Sequence, residues 1–158
     1  MAFDIGKAFK VATIPIVIMI VWALIQTFIG FAVNIFPPIG YALCVFAPIG
    51  LLLGLVIPAW AGFKAVKEAQ MDIVGGALTG GLVGLVASIV GAVLTIIVSV
   101  LNIGAFVASS GVSPEYALAG AGGIIGVAFS SVAGIVFWTV VAVVLGAIGA
   151  FIAKNMKK

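Results

Sequence analysis

The sequence predicts an all-α, polytopic membrane protein with four transmembrane helices packed as a glycine-rich bundle, and three observations carry that prediction. Of 158 residues, 65% are apolar and 7% charged, with a mean hydropathy of +1.49. A soluble domain has about 45–50% apolar and about 25% charged residues, so the bilayer is the expected solvent. Four stretches reach the roughly 20 apolar residues that cover a hydrocarbon layer about 30 Å thick. The lysines form three clusters, at Lys7 and Lys10, at Lys64 and Lys67, and at Lys154, Lys157 and Lys158. Four crossings place all three clusters on one side, while the loops around Asn34 to Gly40 and Asn102 to Ser113 hold no Lys or Arg. By the positive-inside rule both termini and the middle loop are expected in the cytoplasm. The net charge of +3 then reads as topology, with some attraction to anionic lipid, and not as a nucleic-acid surface.

The whole chain reads as one membrane domain, with transmembrane helices expected over 11–35, 39–63, 73–101 and 114–153. The first follows Lys7 and Lys10 as a signal peptide would, but its apolar run exceeds the about 7–15 residues of such a segment and lacks a convincing small-residue cleavage site. It is expected to stay as an anchor. The second helix contains Pro48 and Pro58, each of which lacks an N–H and crowds the preceding turn. Pro48 is therefore a candidate hinge, or merely a bend that fits its neighbours. Tyr41 opens this helix and Trp60 closes it, at the depths of aromatic belts, whereas Trp22 and Trp138 lie deeper and read as packing or lipid-facing residues. Cys44, the lone cysteine, reads as a small packing residue.

Asp72 is positioned to cap the third helix. Ser113, Pro114 and Glu115 read as N-cap, first-turn proline and dipole-complementing acid of the fourth. The fourth element is longer than one perpendicular crossing requires, so it is expected to tilt, protrude or break near Gly120, Gly122 and Gly123. The third has the same excess if it continues past Asn102, and Ile103 to Val112 could instead dip into the outer leaflet.

Stepping by four along the third helix gives Gly76, Gly80, Gly84, Ser88 and Ala92. Along the fourth it gives Gly122, Gly126, Ser130, Gly134, Trp138, Ala142, Gly146 and Ala150. Helices in lipid gain nothing from hydrophobic burial against each other, so close backbone approach along small-xxx-small ridges drives their association. A tight antiparallel hairpin of helices three and four is expected, with Gly80 facing the region of Gly146 and Ala150. An offset of 42 aligns Gly80, Gly81, Gly84 and Ser88 with Gly122, Gly123, Gly126 and Ser130, as in an inverted repeat. These glycines could serve packing within the chain, an interface between copies, or a pore lining. Gln26 is the polar side chain at membrane depth least able to satisfy itself, and reads as glue between helices or as a solute contact.

Ionisable groups inside a membrane mark function, and none falls mid-helix here: Asp4, Glu68, Asp72 and Glu115 sit at ends and loops. With no His, no Arg and one Cys, imidazole catalysis and Cys/His zinc clusters lack their residues. No P-loop, GxSxG or HExxH occurs, so no catalytic residue, metal or cofactor is expected. The glycine-striped four-crossing pattern resembles the duplicated proteolipid subunit of rotary ATPases, but the mid-membrane acid on which that family's ion transport depends is missing. With Lys in place of Arg and abundant Ile, Val and Gly, the chain also resembles small four-helix membrane proteins of prokaryotes, archaea among them. That resemblance implies a prokaryotic cell membrane and assigns no functional residue. The expected role is structural, either self-associating or as an accessory subunit of a membrane complex, with the lipid bilayer as the other partner. The alternative is a small channel or transporter passing an uncharged or weakly polar solute between helices three and four.

Overall fold

The computed structural model describes residues 4–36, 38, 40–111 and 123–156. Among the described residues there are four helices: α1 (Ile5–Ile35), α2 (Gly40–Lys67), α3 (Ile73–Ser110) and α4 (Gly123–Asn155). Each is long and apolar enough to cross a membrane, as a multi-pass membrane protein requires. The helices form an antiparallel bundle in which α2 and α3 each touch every other helix. Among the described residues α1 and α4 do not pack on each other, so they stand on a diagonal.

The helix ends follow from side-chain chemistry. The Asp4 carboxylate accepts from the Lys7 backbone N–H at 3.2 Å, which starts α1 about two turns before the expected position. Asp72 accepts from the Gly75 N–H at 2.7 Å and caps α3 as expected. Between α2 and α3, Gln70 takes a left-handed backbone (φ 55°) and the Met71 N–H donates to the Ala65 carbonyl at 3.1 Å, which closes α2 and reverses the chain. At the far end α3 does not stop near Leu101. It continues through Asn102 and Gly104 to Ser110, because no proline interrupts that stretch, and it ends at Gly111, whose positive φ of 67° suits a helix terminator. Its 38 residues extend about 57 Å at 1.5 Å per residue, well beyond one perpendicular crossing. The expected start of the fourth helix, with Ser113, Pro114, Glu115 and the glycines at 120 and 122, lies outside the described residues.

Prolines do not break these helices. α1 runs on through Pro15, and α2 through Pro48 and Pro58. Pro15 and Pro58 are fully buried, so their rings serve as compact packing surface, while Pro48 is exposed.

The core lies at the lysine-bearing end. Ala12 of α1, Ile57 and Ala61 of α2 and Val83 of α3 form one buried cluster; Val66, Ala150 and Ala153 form a second. Most buried positions are Ala or Gly, whereas large side chains such as Phe28, Phe129 and Phe137 point outward at 62–78% exposure. This distribution suits a bundle dissolved in lipid, where small residues bring backbones together and large ones meet the acyl chains. The ends of α1, α2 and α4 that carry Lys7, Lys10, Lys64, Lys67 and Lys154 meet at this end of the bundle.

Candidate functional site

Two features of the bundle are built from residues singled out in the sequence: a glycine node near the lysine-bearing end, and a chamber at mid-depth. At the node α3 and α4 pack antiparallel with the expected register. A methyl group added to Gly80 would lie 2.6 Å from Gly146 Cα, 2.8 Å from the Ala142 carbonyl oxygen and 3.0 Å from the Pro58 carbonyl oxygen. One added to Gly76 would strike Ala150 Cβ, and one on Gly84 would strike Ala142 Cβ. From the other side, a methyl on Gly146 would come within 2.8 Å of the Gly76 carbonyl oxygen and 2.9 Å of Gly80 Cα.

The sequence analysis missed the third member of this node. On α2, a side chain on Gly62 would strike the Gly146 carbonyl, and one on Gly149 of α4 would strike the carbonyl of Ala59. Three backbones therefore converge on Gly146. The signal was present in the small residues Ala61, Gly62 and Ala65 of α2, and on α1 in Ala8 and Ala12, all of them buried.

The other half of the ridge is different. Among the described residues nothing stands within 4 Å of the positions that side chains on Gly126 and Gly134 would occupy, and Ser130 is exposed. The aligned repeat thus has unlike surroundings in its two copies. Gly80, Gly81 and Gly84 are buried against α4, Gly126 is open, and Gly122 lies outside the described residues. In the lysine-bearing half α3 and α4 are in close backbone contact at Gly76, Gly80 and Gly84.

Open space lies elsewhere. A chamber of about 410 Å³ at mid-depth is walled by all four helices, with Trp22 of α1, Gly50 and Gly54 of α2, Ser88 of α3 and Trp138 of α4 on its surface. It occupies the gap left because α1 and α4 do not meet. A second cleft of about 300 Å³ runs between α1 and α3 toward the end without lysines, past Thr27, Gly30, Gly91, Thr95 and Ser99. Ala23 and Gln26 line both. Gln26 is thus at the boundary of two cavities, and Pro48 lines neither.

Among the described residues no charged side chain lines either space. The polar groups are neutral and partly committed. Thr27 donates its hydroxyl proton to the Ala23 carbonyl and Thr95 donates to Gly91, each at 2.8 Å, the usual way a membrane helix satisfies threonine. Fully buried Thr79 does the same to Gly75 at 2.7 Å. Trp22 stacks on Phe46 with ring centres 5.9 Å apart, and its buried indole N–H finds no acceptor among the described residues. That N–H and the Gln26 amide nitrogen both crowd the space over Gly50, where a side chain would strike Gln26 and lie 2.8 Å from the indole nitrogen.

Among the described residues charge is confined to the lysine-bearing end. Lys64 lies 3.4 Å from Glu68 and 5.1 Å over the Trp60 ring, Lys67 lies 5.4 Å over Phe63, and Lys7 lies 3.7 Å from Asp4. These pairs suit a headgroup layer, where aromatic rings and ammonium groups share the boundary. Scans against protein-family models, curated proteins and solved structures find no match to this chain.

Proposed function

We propose that this chain is an assembly-type integral membrane protein whose open α4 ridge seats a transmembrane helix of a second copy or of a larger membrane complex. One observation carries the reading: the four-residue spacing that packs tightly around Gly146 continues to Gly134 and Gly126, where none of the described residues stands opposite. Small residues flanked by exposed Phe129, Val132 and Val136 give a groove between larger side chains that suits a partner helix. The experiment is the mass of the purified chain in gentle detergent, together with whatever co-migrates. Gly126→Leu and Gly134→Leu, which meet no neighbour among the described residues, should keep the fold and lose the partner. An unchanged assembly in both variants would overturn the reading.

In this reading the lysine clusters face the cytoplasm of a prokaryotic cell membrane, because translocation disfavours Lys near the spans. Cysteines in place of Lys7 and Lys67 in a Cys44→Ala background should both react with a membrane-impermeant maleimide from the same side of sealed vesicles. Labelling from opposite sides would overturn the topology.

The mid-depth chamber favours a second reading, passage of an uncharged solute. Such passage requires the Gly62–Gly146 contact to part, with Pro48 as the candidate hinge. Flux of a neutral solute into liposomes containing the pure protein, abolished by Gly54→Leu, would support it.

A further inference from the structure

The chamber and the cleft beside it have two unlike walls. At mid-depth the surface is mostly apolar, with Met19, Leu51 and Trp138 among its residues, and the open space in front of Gly54 is part of it. The combined space is within the about 300–1,000 Å³ of ordinary ligand sites. The α1/α3 cleft is where the polarity lies. Because Thr27 and Thr95 have given their protons to their own helices, their oxygens can only accept there. Beside them Gln26 offers both donor and acceptor.

A hydroxyl group complements this cleft, since it donates to the threonine oxygens and accepts from the Gln26 amide N–H. The absence of charge from the lining rules against a phosphate or ammonium head, whose transfer to such a site would cost far more than a neutral group's. An apolar wall at mid-depth matches a hydrocarbon body. We infer that the chamber and cleft bind an uncharged, membrane-soluble alcohol, its apolar body in the chamber and its hydroxyl head in the cleft lined by Gln26, Thr27 and Thr95. This goes beyond the assembly reading and does not depend on it, because the α4 ridge at Gly126 and Gly134 lines neither space.

Two of the three tryptophans line the chamber, so the protein carries its own reporter. The full chain is reconstituted in phosphatidylcholine bilayers, and tryptophan quenching is compared for a monoacylglycerol and a phosphatidylcholine bearing the same dibrominated acyl chain at equal mole fraction. The monoacylglycerol should quench more strongly, and its preference should vanish in the Trp22→Phe/Trp138→Phe variant, which retains only Trp60 at the lysine-bearing end. Gly54→Leu and Gly91→Leu, both placed in open space, should abolish the preference with the fold intact. Thr95→Val should weaken binding about five-fold, the loss of one neutral hydrogen bond. Equal quenching of the unmodified protein by the two lipids, or an unaltered preference in both leucine variants, would overturn the inference.

Discussion

The two halves of this bundle use one residue type in opposite ways. Toward the lysine-bearing end, Gly62, Gly76, Gly80 and Gly146 bring three helices so close that no Cβ fits between them. In the other half Gly30, Gly54, Gly91, Gly126 and Gly134 meet nothing within 4 Å among the described residues, and chamber and cleft open beside three of them. The spacing is the same, so it cannot be what separates the halves. What differs is the opposing surface: the closed half sets Ala59, Ala142 and Ala150 against its glycines, whereas the glycines of the other half face open space, with the chamber and cleft beside three of them. A small-xxx-small ridge permits close approach, and the residue opposite decides whether it happens.

The severest way to break this contrast is Gly146→Leu. A leucine there must displace the α3 backbone at Gly76 and Gly80, against carbonyl oxygens that cannot rotate away. Overpacking of a tight core costs about 1–3 kcal/mol at an ordinary site and occasionally more. A contact made by three backbones belongs at or above the top of that range. Denaturation in mixed micelles, followed by far-ultraviolet dichroism, should show this variant unfolding at a much lower denaturant fraction. Gly91→Leu should unfold close to the unmodified protein.

A smaller change sharpens the comparison. Gly80→Ala adds one methyl into the node and should destabilise by about 1–3 kcal/mol. The same methyl at Gly134 has room, and alanine is the better helix former by up to about 1 kcal/mol in water. Gly134→Ala should therefore be neutral or stabilising in the same denaturation assay. Equal losses at both positions would show that the halves are packed alike.

Much of this was legible in the sequence, and the parts that were not share a cause. The four crossings follow from hydropathy, the cap at Asp72 from its position before an apolar run, and the α3/α4 register from four-residue steps that pair Gly80 with Gly146. The role of α2 was not legible, because Gly62, Ala61 and Ala65 sit among bulky residues and beside Pro58. Proline there reads as a kink, yet it is fully buried at the closest contact. The sequence leaves the extent of α3 open because Asn102 and Gly104 read as possible stops; neither removes a backbone donor, and the helix runs on to Ser110. The chamber could not be read at all, since it depends on α1 and α4 failing to meet, and pairwise patterns on single helices carry no information about a diagonal gap.

The smallest expected effect concerns the caps and compares the two ends of chain entry into the closed half. Asp72 holds the Gly75 N–H at 2.7 Å in a part-buried setting, directly before the segment that carries Gly76 and Gly80 into the node. Asp4 holds the Lys7 N–H at a longer 3.2 Å, and that contact is exposed. Removing an N-cap carboxylate costs about 0.5–2 kcal/mol, with exposed sites at the low end. Asp72→Ala should therefore lose about 1 kcal/mol and Asp4→Ala clearly less, in chemical denaturation under the same conditions. The order matters more than the size: a misplaced first turn of α3 shifts two node glycines, whereas a frayed first turn of α1 shifts none. If Asp4→Ala proved the costlier change, the closed half would depend on α1 as strongly as on the α2, α3 and α4 node, and the division between the halves would have to be redrawn around Ala8 and Ala12.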